Sequence, residues 1–63
     1  MKLIECPTKK AYLYRWYMHL EHEFGDKEFA REDAINCLCK AEHTCKLVAD
    51  STINSLIAGG CIE

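Results

Sequence analysis

Sixty-three residues support one domain at most. A chain this short hides only about 60% of the surface its unfolded form exposes, which excludes a large core and leaves little room for a catalytic cleft. Ten acidic against eight basic side chains give a formal charge of −2, which excludes a grip on nucleic acid by bulk charge while allowing a local basic edge.

Met1-Lys2-Leu3-Ile4-Glu5 turns polar too soon for a secretory leader, and no apolar run approaches the roughly 20 residues of a membrane span. The expectation is therefore a cytoplasmic protein with no membrane partner, its five cysteines mostly thiols acting as small hydrophobes. Residues 1–6 read as a small edge strand or a loose arm, and Pro7 ends them. Thr8 is a plausible helix cap, although Lys9 and Lys10 sit poorly at a helix's positive end.

Over residues 8–24, Leu13, Trp16, Tyr17, Leu20 and Phe24 recur at helical spacing on one face, and Gly25 stops the helix. Tyr14 and Met18 widen that face on one side and Tyr12 on the other, while Arg15, His19 and His22 lie opposite, in solvent. An apolar arc this wide points to self-association, with Tyr12, Tyr14 and Met18 as the candidate homodimer interface. The plainer alternative lays the rings flat over a small core with their hydroxyls in water.

Phe29 is expected to anchor the connector after Gly25. A second helix starts near Arg31, with Glu32 and Asp33 suited to its N-terminal dipole and Ala34, Ile35 and Leu38 toward the core, Cys37 or Cys39 at the margin. Neither Gly nor Pro occurs between Phe29 and Ala58, so residues 31–58 form one long helix or turn near residues 41–44 into a third. A third helix would direct Ala49, Ile53 and Leu56, helped by Val48 and Ile57, inward, and Asp50, Ser51, Asn54 and Ser55 outward. Gly59-Gly60 ends it, and Cys61-Ile62-Glu63 is long enough to pair with Leu3-Ile4.

The run Phe29-Ala30-Arg31-Glu32-Asp33-Ala34, then Ser51-Thr52-Ile53-Asn54-Ser55-Leu56-Ile57 and Gly60-Cys61-Ile62-Glu63, resembles a winged helix-turn-helix domain over residues 29–63. Leu56 and Gly60 have the spacing at which that family's recognition helix ends, and Ile53 matches the apolar position three residues earlier. Three features depart from the pattern: no wing hairpin follows, the turn between the second and third helices has no glycine, and Asp50 falls on the face that would meet phosphates. The resemblance implies a third helix in the major groove of double-stranded DNA, with Ser51, Asn54 and Ser55 toward base edges and Asn54 suited to adenine. Lys40 and Lys46, with Lys9 and Lys10, would then hold the phosphate backbone.

Cys37, Cys39, His43 and Cys45 have the chemistry of zinc ligands but not the spacing, since Cys37 and Cys39 would point roughly 200° apart on a helix. No metal, cofactor or catalytic residue is expected, because no motif pairs a cysteine with an orienting base in a cleft. The chain therefore reads as a mainly α, three-helix helix-turn-helix bundle over residues 1–63, with at most a small two-stranded terminal sheet, working as a dimeric DNA-binding transcriptional regulator. The alternative is a helical hairpin dimerising into a four-helix bundle along Ala34, Leu38, Ala41, Cys45, Val48 and Thr52. That version would be an accessory or inhibitor module, viral in style, that binds another protein.

Overall fold

The computed structural model describes residues 1–4 and 11–63. Readings that fall on residues 5–10, namely Thr8 as a helix cap and Lys9 and Lys10 as backbone contacts, lie outside the described residues. Among those described, three helices carry the fold: α1 (Ala11–Phe24), α2 (Arg31–Glu42) and α3 (Lys46–Ala58).

The helical periodicity of α1 puts Leu13, Trp16, Tyr17 and Leu20 into the core, and Phe24 stacks on the buried Phe29 with ring centroids 4.5 Å apart. Gly25 takes φ +60°, and its N–H closes the helix on the Glu21 carbonyl at 2.8 Å. α2 has Glu32 and Asp33 in its first turn and Lys40 in its last, in keeping with the helix dipole. It buries Ala34 and Leu38, while Ile35, Cys37 and Cys39 pack against the core edge.

Residues 31–58 are not one rod, which overturns the four-helix-bundle alternative. The chain leaves α2 through His43 at φ 52°, ψ 46°, and the His43 and Thr44 N–H groups both donate to the Cys39 carbonyl. Cys45 is extended at φ −84°, ψ 163°, and α3 begins at the next residue. A left-handed residue with a side chain costs about 1–2 kcal/mol. Burying Ile53 and Leu56 returns about 1.5–3 kcal/mol each, and a straight rod would leave both without a partner. His43→Gly should therefore stabilise the fold by about 0.5–1 kcal/mol, seen as a higher urea midpoint at unchanged slope. An unchanged or lower midpoint would mean that His43 is not strained there.

α3 buries Ala49, Ile53 and Leu56 completely. It ends in a Schellman turn: Gly60 at φ +81° donates its N–H to the Ile57 carbonyl at 3.1 Å, and the Cys61 N–H donates to the Leu56 carbonyl at 2.9 Å. The turned chain then pairs antiparallel with the N-terminus at Leu3 and Ile62, through backbone bonds between Lys2 and Glu63 in both directions and from Ile4 N–H to the Cys61 carbonyl. On the other side of this N-terminal segment, the Phe29 N–H donates to the Met1 carbonyl and the Met1 amine to the Phe29 carbonyl. The entry to α2 is thus tied to both termini.

Two expectations need correction. Val48 and Ile57 do not help fill the core: they are 44% and 41% exposed, because α1 and α2 together cover only the Ala49–Ile53–Leu56 side of α3. Cys61 is buried and disulfide-bonded rather than a thiol, while Cys37, Cys39 and Cys45 are free. The thiol expectation rested on a reducing compartment, which bears on redox poise and not on whether two sulfurs meet.

Candidate nucleic-acid interface

α3 contains one cation and one anion, Lys46 and Asp50, in thirteen residues. On its outward side Leu47, Ser51, Asn54 and Ala58 follow at steps of four, three and four residues, making an uncharged ridge about 16 Å long. Leu47 is 79% exposed, the most of any large apolar side chain described. Ser51 and Asn54 are exposed as expected. Ser55 is half-buried, and its hydroxyl donates to the Ser51 carbonyl at 3.2 Å, so it is partly occupied by its own helix. Thr52 does the same with the Val48 carbonyl at 2.9 Å.

Two acids, Asp50 on α3 and Glu42 at the end of α2, are paired with cations of the other helices. Between residues 34 and 62 the sequence has only Glu42 and Asp50. Arg31, at the start of α2, donates to Asp50 Oδ1 from Nε at 3.0 Å and from Nη2 at 2.7 Å. Glu42 accepts from Arg15 Nη2 at 3.0 Å and pairs with His19 Nε2, so these two α1 side chains reach the end of α2, Arg15 from an exposed position and His19 from a half-buried one. Lys40 and Lys46 stay exposed on either side of the bend. Among the described residues the other acids are Glu21, Glu23, Asp26, Glu28, Glu32, Asp33 and Glu63.

Arg31 and Leu47 were missed by sequence reasoning. Arg31 looked like an ordinary first residue of a helix, and its reach to α3 spans 19 residues to Asp50 and 23 to Asn54. The one signal available was the polar pair Asp50 and Asn54 one turn apart. Leu47 was given no role.

The other sequence candidates fall on a different side. Tyr12, Tyr14 and Met18 are 56%, 50% and 41% exposed on α1, and the Tyr14 and Tyr17 rings lie 6.2 Å apart. Tyr17 turns its hydroxyl to the Ile4 carbonyl at 3.0 Å. Between α1 and α2 runs a shallow groove of about 260 Å³ lined by His19, His22, Glu23, Cys37, Lys40 and Ala41. Burial, and secondarily Glu23, push the Cys37 thiol above its ordinary pKa, the opposite of what an activated nucleophile needs. Among the described residues no three or more His, Cys, Asp or Glu side chains gather to hold a metal ion, and no helix is long and apolar enough to cross a membrane.

The free thiols should differ in reactivity. Iodoacetamide near neutral pH is expected to modify the exposed Cys45 first and Cys37 last, as read by peptide mass spectrometry. Because the folded-state pKa of Cys37 is raised, its share of stability is present below the unfolded thiol pKa and falls as pH rises through the folded value. Cys37→Ala should remove that alkaline loss; equal reactivity of Cys37 and Cys45 would contradict the burial.

No family profile matches the chain, and no curated protein or solved structure shows significant similarity to it.

Proposed function

We propose that this chain is a small DNA-binding regulator of transcription, a helix-turn-helix protein that lays α3 in the major groove. It acts by binding and not as an enzyme. The observation that carries this reading is the charge arrangement around α3: Asp50 is paired with Arg31 and Glu42 with Arg15, leaving the exposed Lys46 at the start of an uncharged ridge. The Arg31 pairing offsets the charge of Asp50 on the face turned to phosphates, while the net charge of the chain stays at −2.

In this reading Lys40 and Lys46 hold phosphates, Ser51 and Asn54 meet base edges, and Leu47 touches a thymine methyl. Ser55 contributes less than its position on the helix suggests. Two copies meeting through Tyr12, Tyr14 and Met18 would place two α3 ridges on one duplex.

Retardation of mixed duplex DNA at two salt concentrations tests the reading. Salt-dependent retardation is expected. Its absence even at low salt would favour a protein partner, for which Leu47, at 79% exposure, is the most exposed apolar side chain described.

A further inference from the structure

We infer that Arg31 sets the base preference of Asn54, turning it from an adenine reader into a reader of the acceptor-only edge of guanine. The inference rests on the DNA-binding reading above and makes that reading specific.

Arg31 Nη2 lies 2.5 Å from Asn54 Oδ1. A guanidinium has five N–H donors and no acceptor, so only the amide oxygen of Asn54 can face it. Arg31 is itself held by two bonds to Asp50 Oδ1, and Asp50 stands one helical turn before Asn54. The triad Arg31–Asp50–Asn54 therefore fixes the direction of the Asn54 side chain from outside α3. Its amide Nδ2, with two donor hydrogens, is the group left for a duplex.

Adenine presents N7 as an acceptor and N6 as a donor in the major groove, so pairing it bidentately needs both ends of the asparagine amide. Here the oxygen end is engaged by a cation, beside which the N6 amino hydrogens are unwelcome. Guanine presents two acceptors, N7 and O6, and suits the donor amide Nδ2 of Asn54 that Arg31 leaves outward. The adenine preference expected from the residue type alone is thus reversed by a neighbour on α2. Arg31 acts as a positioning residue.

Selection from a randomised double-stranded oligonucleotide pool tests this, with wild type, Arg31→Ala, Arg31→Lys and Asn54→Ala each confirmed folded by circular dichroism. Wild type should favour guanine over adenine at one position by about 10-fold. Arg31→Ala should move that position toward adenine, Arg31→Lys should keep guanine because lysine is also donor-only, and Asn54→Ala should level the position. Placing 7-deazaguanine there should weaken wild type and leave Asn54→Ala unchanged. An adenine preference in wild type that survives Arg31→Ala overturns the inference, as does duplex binding with no preference at any position. Failure to retard any duplex at low salt would instead sink the DNA-binding reading itself, and the inference with it.

Discussion

Ile53→Ala is expected to destabilise the fold by about 2–5 kcal/mol, the range for removing three carbons from a site that cannot collapse. Ile53 is fully buried on α3, among Leu20, Leu38 and Leu56, which are equally shielded. A domain at 0.05–0.15 kcal/mol per residue holds about 3–9 kcal/mol over 63 residues, so this single change consumes much of the total. The variant should show a markedly lower urea midpoint or be unfolded in buffer, whereas Ile53→Val should lose only about 0.5–1.5 kcal/mol. If Ile53→Ala unfolds where wild type does, α3 does not dock through this face.

Reversing the two exposed lysines that flank the bend, Lys40→Glu with Lys46→Glu, is expected to weaken duplex binding without unfolding the protein. Each phosphate contact adds about 0.9 to the slope of log affinity against log salt, so the slope should flatten by about 2. At 0.1 M salt that slope alone corresponds to a loss on the order of 50-fold, before any repulsion from the new carboxylates. A retardation titration across salt concentrations reads both quantities. Unchanged affinity and slope would show that these lysines do not meet the duplex.

Much of the fold was legible in local pattern. Leu13, Trp16, Tyr17 and Leu20 on α1, and Ala49, Ile53 and Leu56 on α3, are buried where their spacing placed them. Gly25 and Gly60 both take positive φ at helix ends, as glycine punctuation implies. The pairing of Leu3 with Ile62 was visible as two short apolar segments of suitable length.

What was not legible depends on contacts distant in sequence. The bend at His43 comes from a non-glycine residue in the left-handed region, which only the shared core of α2 and α3 makes worthwhile. The Met1 pairing with Phe29 and the Arg15–His19–Glu42 latch join positions more than twenty residues apart. Val48 and Ile57 misled because α3 is apolar on most sides, so its composition alone could not separate a core face from an exposed one. The site shared this division: Ser51, Asn54, Lys40 and Lys46 are exposed as their positions implied, while Arg31 became visible only once α2 and α3 were side by side.

The central claim is that α3, set apart by the turn at His43, meets a nucleotide duplex with its outward ridge. Titrating the isotopically labelled protein with mixed duplex DNA at low salt, following each backbone amide by NMR, tests it most directly. Shifts concentrated at Leu47, Ser51 and Asn54, with Lys46 beside them and Lys40 across the bend, are expected, and they should reverse as salt is added. Amides that stay still at low salt, or that move only around Tyr12, Tyr14 and Met18, would contradict it.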